Sequence, residues 1–153
     1  MQRIIQRYSL HIQKLLAGGE SPGKGYPFRA QLHPDVPDDK TGVYRIFRTG
    51  SDATKSLYVG QTSSRSLRSR LEQHRDRSSG AGSSLKQLLE DDGVCTDGVA
   101  FFRDQCRFQF VAVDEGVAIS WGLESVEIAR WFFEDFAVAA LQPGYNHGRR
   151  QLR

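Results

Sequence analysis

Five side chains of this 153-residue chain are of the types that metal-dependent phosphodiester chemistry requires. Tyr44 and Tyr58 belong to two short tripeptides, Gly-Val-Tyr and Tyr-Val-Gly, and Arg70, His74 and Glu134 follow them in the chain. A phenol can orient or deprotonate a water, a guanidinium can hold a phosphate, and a carboxylate can hold a divalent cation. Whether the five act together depends on the elements that position them.

Arg70 and His74 lie four residues apart in a predicted helix over residues 64–77, so they share one face. Leu67 and Leu71 border that face and should dock on a neighbouring sheet. Arg70 held there would offer a planar, two-pronged donor to a phosphate. A structural interpretation of each residue alone stays open, because the segment contains several other arginines and a histidine beside a core stripe commonly serves only as a hydrogen-bonding residue.

Glu134 lies in a predicted helix from about residue 122 to 141 that is apolar nearly all round and should be largely buried. A buried carboxylate is costly unless a cation or hydrogen-bond donors satisfy it, and a divalent metal would do so. Alternatively, Glu127, Arg130 and Glu134 form one solvated stripe at i, i+3, i+7 spacing, with Asp135 at its edge. The helix by itself does not decide between these interpretations.

The remaining pattern predicts the scaffold. Residues 43–47 and 57–59 are rich in β-formers and should pair as a hairpin around a polar turn, which would present both phenols at one spot. Ser83 or Ser84 is predicted to cap a short helix that ends at Gly93, and residues 99–102 and 108–113 are predicted strands. Pro143 and the glycine after it should stop the last helix. The order predicts an α+β fold, a small, largely antiparallel sheet flanked by helices.

The length fits one compact domain, divided into an N-terminal helix and linker extension over 1–40, a main domain over 41–147 and a basic tail over 148–153. The first 16 residues are amphipathic, basic and free of acids. They could form a mitochondrial transit peptide, but the lack of serine richness and of a cleavage context favours a helix docked on the domain. We therefore expect a cytoplasmic, nucleoid-associated protein, with an organellar location as the alternative.

Two further patterns limit the partners. No apolar run approaches the roughly 18 residues of a membrane span, so no membrane partner is expected. Cys95 and Cys106 are the only cysteines, and their spacing does not suggest zinc. A disulfide between them stays open, although two reduced thiols are the favoured interpretation.

At this point the chain resembles the GIY-YIG nucleases, over residues 42–146. The two signatures are Gly42-Val43-Tyr44 and Tyr58-Val59-Gly60, and each differs from the family name only by valine for isoleucine. The family's catalytic arginine falls on Arg70 and its histidine, one turn later, on His74. Its metal-binding glutamate falls on Glu134, and its closing asparagine falls on Asn146, shortly after a proline. The agreement of six positions in order favours the metal interpretation of Glu134.

The resemblance implies a mechanism and a role for each matched residue. One Mg²⁺ or Mn²⁺ would sit on Glu134 and the scissile phosphate, and Arg70 would contact that phosphate in the transition state. Tyr44 would orient or deprotonate the water, Tyr58 would complete the pocket, and His74 would hydrogen-bond to a tyrosine. Asn146 would tie the end of the last helix to the site. Cleavage would leave a 3′-hydroxyl and a 5′-phosphate. Many family members carry a cation just after the second signature, but residues 61–64 here are Gln-Thr-Ser-Ser, so His74 becomes the helper.

The expected partner is DNA. The chain has a formal net charge of +3, and basic side chains cluster around the predicted site and in the tail. The predicted DNA contacts are Arg65, Arg68, Arg75, Arg77, Lys86, Arg149 and Arg150. The expected function is a metal-dependent DNA endonuclease, of restriction type or from a phage or mobile element. The alternatives are a structure-specific repair nuclease, a non-catalytic nucleic-acid-binding module and a generic interaction protein. A restriction-type enzyme that cuts both strands would form a homodimer or act twice.

Overall fold

A four-stranded antiparallel sheet carries helices on both of its faces, in the α+β arrangement that the sequence predicts. The computed structural model describes residues 2–50, 55–76 and 81–146. Their elements in chain order are α1 (Gln2–Ala17), β1 (Tyr26–Pro27), β2 (Gly42–Arg48), β3 (Ser56–Gln61), α2 (Leu67–Arg75), α3 (Ala81–Asp91), α4 (Gly98–Gln105), β4 (Cys106–Ala112), α5 (Glu115–Ser120) and α6 (Val126–Leu141).

The strands are ordered β1-β4-β2-β3, so the hairpin of β2 and β3 forms one side of the sheet. Tyr44 pairs with Gly60 and Ile46 pairs with Tyr58 in this hairpin. Successive side chains of a strand point to opposite faces, so the register places Tyr44 and Tyr58 on the same face of the sheet. The predicted hairpin and the shared face of the two tyrosines are confirmed.

Two apolar cores lie on the two faces of the sheet. One contains Tyr44 and Ile46 together with side chains of α2, α3 and α4. The other contains Val43 and Val59 together with side chains of α1 and α6. Val43 therefore serves one core and Tyr44 and Ile46 the other, which explains why β2 is buried on both faces along nearly its whole length.

The N-terminal segment belongs to both cores. Tyr8, Ile12 and Leu15 of α1 are buried against the α6 side of the sheet, which confirms the docked amphipathic helix. The predicted linker after α1 leads into β1, which pairs with β4, and Phe28 and Leu32 in the loop beyond are buried in the other core. Among the described residues, no helix combines the length and the apolar character needed to cross a bilayer.

Four predictions about the elements are corrected. Residues 99–102 form part of helix α4 and not a strand, because Asp97 caps a helix by accepting hydrogen bonds from Val99 N and Ala100 N. A short apolar run fits either element, and here the cap decides. Helix α3 begins at Ala81, so positions 83 and 84 lie inside it and not at its cap.

The other two corrections concern helix ends. The predicted helix from 122 begins at Val126, where Ser125 caps it by accepting from Ile128 N, and the left-handed Gly122 separates it from the unpredicted short helix α5. Helix α2 begins at Leu67 because Ser66 caps it by accepting from Ser69 N. The predicted strand over 108–113 is confirmed as β4, and Cys95 and Cys106 are thiols and not a disulfide.

Candidate active site

Tyr44 is the centre of a buried cluster in which the predicted site residues meet. Its hydroxyl lies 2.7 Å from His74 Nε2 and accepts a hydrogen bond from Arg70 Nε at 3.3 Å. The phenol itself is fully buried. The structure therefore brings the first signature of the sequence together with the arginine and the histidine that follow it.

Helix α2 delivers Arg70 and His74 because its apolar residues fix its rotation. Leu67 and Leu71 are fully buried against the sheet, and residues three and four positions apart lie on the same side of a helix. The end of the helix is held by Lys86, whose ammonium donates to the carbonyls of Gln73 and His74 at 3.2 and 2.7 Å. This is favourable because a cation offsets the negative end of the helix dipole.

Tyr58 lies on the open side of the cluster and is half-buried. Its ring centre is 6.0 Å from that of Tyr44 and 5.5 Å from that of His74. Burial lowers the pKa of the Arg70 guanidinium, but the interactions with Tyr44 and then with Tyr58, including a side-chain hydrogen bond to each, raise that pKa overall. Both phenols therefore contact the same arginine.

Steric crowding, which the sequence did not reveal, explains why each of the two signatures contains a glycine. A Cβ at Gly60 would lie 2.6 Å from the Tyr44 hydroxyl oxygen and 2.7 Å from Tyr44 Cζ, so only glycine leaves room for the buried phenol. A Cβ at Gly42 would collide with the backbone of Val111 in the neighbouring strand. The missed signal was the register, in which Gly60 stands directly opposite Tyr44.

Burial keeps the central pair uncharged. Burial, and then the neighbouring Tyr58, raise the pKa of Tyr44 well above its usual value, although Arg70 opposes the shift. Burial, and then the positive charges of Arg70 and Lys86, lower the pKa of His74 well below its usual value. At neutral pH the pair is a phenol and a neutral imidazole, and in the tautomer that leaves Nε2 unprotonated the Tyr44 hydroxyl donates to His74 Nε2. This hydrogen bond is a path along which a proton can leave Tyr44.

Glu134 is a buried carboxylate on α6, with 6% of its surface exposed. Its charge is close enough to Tyr44 to contribute to the raised pKa of that phenol. Arg130, one turn earlier, is only 4% exposed and donates to Thr41 Oγ1 at 2.9 Å. Since Arg130 and Glu134 are both buried, the solvated-stripe interpretation of this helix is wrong. Of the three residues of the proposed stripe, only Glu127 is exposed.

Asn146 joins the segment after α6 to β3 at the second signature. Its side-chain oxygen accepts from Val59 N at 2.9 Å, and its side-chain nitrogen donates to Val59 O. Val59 lies between Tyr58 and Gly60, and Tyr145 N also donates to Leu57 O at 2.8 Å. The asparagine therefore fixes the edge of β3. Neither of these two hydrogen bonds joins it to the Tyr44 cluster.

The four predicted DNA contacts that lie among the described residues separate into three groups. Lys86 is 1% exposed and points into the protein, so its prediction as a DNA contact is wrong: the amphipathic α3 turns this position to the core. Arg68 donates to the carbonyls of Leu32, His33 and Val36, and Arg75 is paired with Asp76 and donates to Ala30 O. Arg65 is exposed. Three predicted contacts, Arg77, Arg149 and Arg150, lie outside the described residues.

A small cavity of about 130 Å³ opens beside Arg70. It is lined by Gln61 at the end of β3 and by the residues that follow, namely Thr62, Ser63, Ser64 and Arg65. Gln73, which sequence reasoning missed, accepts from Arg70 Nη1 at 3.1 Å and holds the guanidinium beside this cavity. The spacing of three residues from Arg70 on one helix was the available signal.

The donor set suits a hard divalent ion with few protein ligands. Within 2–50, 55–76 and 81–146, no group of three or more His, Cys, Asp or Glu side chains converges as a metal cage would require. A single carboxylate such as Glu134 is the typical protein share of a Mg²⁺ site, which takes its remaining ligands from waters and substrate phosphates. The residues present therefore fit Mg²⁺ or Mn²⁺ and do not fit zinc.

Comparisons of the chain with family models, with curated proteins and with solved structures gave no match. The functional argument consequently rests on the residues of the cluster and on their geometry.

Proposed function

We propose that this protein is a metal-dependent endonuclease of the GIY-YIG type that hydrolyses phosphodiester bonds in DNA. The observation that carries the proposal is the convergence of Tyr44, His74 and Arg70 in one hydrogen-bonded cluster, with the Glu134 carboxylate nearby. These residues are far apart in sequence, and a fold that only needed a core would have no use for a buried phenol–imidazole pair beside a guanidinium. Such an enzyme would act in the cytoplasm, beside the nucleoid.

Arg70 is the proposed phosphate ligand. Its Nε is bonded to Tyr44 and one terminal nitrogen to Gln73, so its guanidinium is fixed in direction before substrate arrives. A preorganised donor of this kind stabilises the negative charge that develops on the phosphate oxygens in the transition state. The adjacent cavity lined by Arg65 would accept a phosphate of the bound strand.

Tyr44 and His74 are proposed to remove the proton of the attacking water. Because Tyr44 is fully buried, bound substrate would have to open the cluster on the side of the half-buried Tyr58, and the Tyr44 oxygen would then take the proton from water while its own proton moves to His74 Nε2, 2.7 Å away. The neutral state of His74 makes it a proton acceptor, and its lowered pKa favours release of that proton after the step. The overall change is a water O–H bond broken, a new phosphorus–oxygen bond formed and the phosphorus–O3′ bond broken, with the displaced 3′-oxygen taking a proton from solvent.

Glu134 is the residue proposed to hold the divalent ion, which when bound would offset the charge of the phosphate and of the leaving oxygen. The buried carboxylate supplies a hard oxygen ligand, and burial makes a bound cation more favourable than it would be at an exposed site.

The test is cleavage of supercoiled plasmid with Mg²⁺ by wild type, Glu134→Gln and Arg70→Ala. Each variant removes a group proposed to act in the transition state, so we expect a loss of rate of at least about 100-fold. Matched controls are Glu115→Gln, an exposed carboxylate on α5, and Arg103→Ala, an exposed arginine paired with Asp104. Both controls should cut at the wild-type rate.

Equal cleavage by wild type and Glu134→Gln would show that any nuclease in the preparation is a contaminant and would refute the proposal. Plasmid that shifts in a gel without being cut would instead indicate a binding module. Mapping the cut ends on linear fragments and on branched DNA distinguishes a site-specific enzyme from a structure-specific repair nuclease.

A further inference from the structure

Helices α1 and α6 expose an unusual amount of apolar side chain. Of the seven large apolar residues that are exposed in the described part of the chain, six lie on these two helices. Leu10 of α1 lines a cavity against Ser120 and Trp121, and the other five are Ile4, Ile5, Ile128, Trp131 and Phe132. Trp131 and Phe132 are 55% and 53% exposed. We name these five residues the α1–α6 face. Tryptophan and phenylalanine side chains are costly to leave in water, and clustered exposure marks an interaction surface.

The two helices present one continuous surface because they pack on each other. The Tyr8 ring of α1 lies 5.4 Å from the ring of Phe136 and 5.9 Å from that of Phe133 on α6. Ile4 is one helical turn before Tyr8, and Phe132 is one turn before Phe136. The apolar residues of both helices therefore flank the line along which the helices meet.

The two helices of this face carry opposite charges. Helix α1 bears the exposed cations Arg3, Arg7 and Lys14 and contains no acid, and Arg7 also donates to Ser120 O at 2.7 Å. Helix α6 bears the exposed acids Glu127 and Asp135, and its only cation, Arg130, is buried. A partner that presents the same two helices in the reverse order would match both charges at once.

The apolar area fits an interface between copies of the chain. Half-exposed Trp131 and Phe132 offer roughly 200 Å², given about 150–250 Å² for a whole aromatic side chain, and the three isoleucines add roughly as much again. A standard interface buries about 800 Å² per partner, of which somewhat over half is apolar. The face supplies most of that apolar part, and the charged residues beside it supply a polar rim.

We propose that a second copy of this chain docks on the α1–α6 face about a two-fold axis, with α1 of each protomer over α6 of the other. A two-fold interface uses the same patch twice and must be self-complementary. Exchange of the two helices meets that condition because it sets the cations of α1 against the acids of α6. Trp131 and Phe132 would then be the buried anchors, as large aromatic residues commonly are.

The first test is the mass in solution by sedimentation at about 100 µM, which detects dissociation constants up to the same order. Wild type should have the mass of two chains, and Trp131→Lys and Phe132→Lys should have the mass of one. The matched control is Ile119→Lys, a 67% exposed side chain on α5 outside the face, which should remain dimeric. A monomeric wild type, or dimers that survive both changes on α6, would overturn the proposal.

A second test addresses the exchange of helices. One variant carries Arg3→Glu and Arg7→Glu on α1, and a second carries Glu127→Lys and Asp135→Lys on α6. Each variant alone should be monomeric because like charges would face each other, whereas an equimolar mixture should form heterodimers in which every pair is restored. Mixing that restores no dimer would rule out the proposed placement of α1 over α6.

The consequence for cleavage rests on the proposed function. Trp131 and Glu134 lie three residues apart on α6, so the interface would hold two candidate sites in a fixed relation. The dimer should linearise plasmid, and the monomeric Trp131→Lys variant should mainly nick it. If wild type is a dimer that cuts no DNA, the proposed nuclease function is refuted and the proposed interface stands. If wild type is a monomer that cuts DNA, the interface is refuted and the nuclease function stands.

Discussion

The Tyr44–His74 pair combines two ionisable groups that the interior keeps neutral. The raised pKa of the phenol and the lowered pKa of the imidazole both oppose separation of charge within this pair, so a proton would cross the 2.7 Å hydrogen bond only as the phenol oxygen takes up another proton. Arg70 contacts the same oxygen and partly offsets the rise in the pKa of the phenol. The chemistry of each residue thus depends on the other two.

The lowered pKa of His74 predicts a pH dependence of stability. The folded protein resists protonating His74, but the unfolded chain binds a proton near pH 6.5, so the stabilisation is complete above that pH and is lost as the pH falls below it. His11, whose pKa burial and then Lys14 lower, acts in the same direction. We expect each to cost up to about 1.4 kcal/mol of unfolding free energy per pH unit in that window.

Urea unfolding at about pH 7.5 and pH 5.5 measures this effect. His74→Gln keeps a hydrogen-bonding side chain and removes the titration, so its loss of stability between the two values should be smaller than that of wild type by roughly 1 kcal/mol or more. Equal losses in both proteins would mean that His74 is protonated in the folded state.

Gly60 should not tolerate a methyl group. In Gly60→Ala the new Cβ would meet the Tyr44 hydroxyl and ring, and since the phenol is fully buried it has no free space to enter. We expect a destabilisation of about 1–3 kcal/mol, typical of overpacking. Thermal unfolding followed by circular dichroism measures it. The control is Gly144→Ala, where no atom lies within 4 Å of the added methyl, and its midpoint should stay close to that of wild type.

Among the elements, α1 is held by a buried polar network as well as by its apolar stripe. Arg45 on β2 donates to Gln109 Oε1 at 2.7 Å, and Gln109 Nε2 donates to the carbonyls of Leu16 and Gly18 at 2.8 and 3.0 Å. These carbonyls belong to the end of α1 and the residues just after it, which otherwise lack intrahelical partners. The network therefore fixes where the helix ends over the sheet.

Gln109→Leu should loosen α1. The change removes the acceptor of Arg45 Nε and the donor to both carbonyls, and losing a hydrogen bond to a buried charged group costs about 1.5–3 kcal/mol. Hydrogen exchange should show faster exchange of the α1 amides, alongside a lower unfolding free energy. Gln105→Leu is the matched control, because Gln105 accepts from Arg48 at an exposed position and its loss should cost less than about 1 kcal/mol. Similar effects of the two changes would contradict this role for Gln109.

At the scale of the whole molecule, residues 1–40 are a structural part of the fold. Seven of their side chains are buried in the two cores: Tyr8, Ile12, Leu15, Tyr26, Phe28, Leu32 and Val36. The sequence separates this stretch as an extension because a glycine-rich segment follows the first helix. In three dimensions that segment connects α1, on one face of the sheet, to β1 and to the loop that is buried in the core on the other face.

A fragment of residues 41–153 should therefore fail to fold. Deleting seven buried side chains removes on the order of 10 kcal/mol of apolar stabilisation, which is comparable with the whole stability of a domain. Circular dichroism and proton NMR spectra of the fragment should lack the thermal transition and the dispersed signals of the full chain. A fragment that unfolds cooperatively would show that the extension only decorates an independent domain.

The sequence alone determined the elements whose pattern is long or strongly biased. The amphipathic α1, the hairpin of β2 and β3, the shared face of Arg70 and His74 and the apolar α6 all follow from periodicity, which is a local property. Boundaries were less well determined, since the caps at Ser66 and Ser125 shorten two helices and Asp97 converts a predicted strand into α4.

Only the tertiary structure decided the environment of individual side chains, because burial depends on elements that are distant in the chain. It turned Lys86 from a predicted DNA contact into a buried cap of α2, and it placed Arg130 and Glu134 in the interior and not on a solvated stripe. It also set Gly60 against Tyr44 and joined that phenol to His74. Residue types could nominate the site, but proximity, and with it the charge state of each group, required the packed fold.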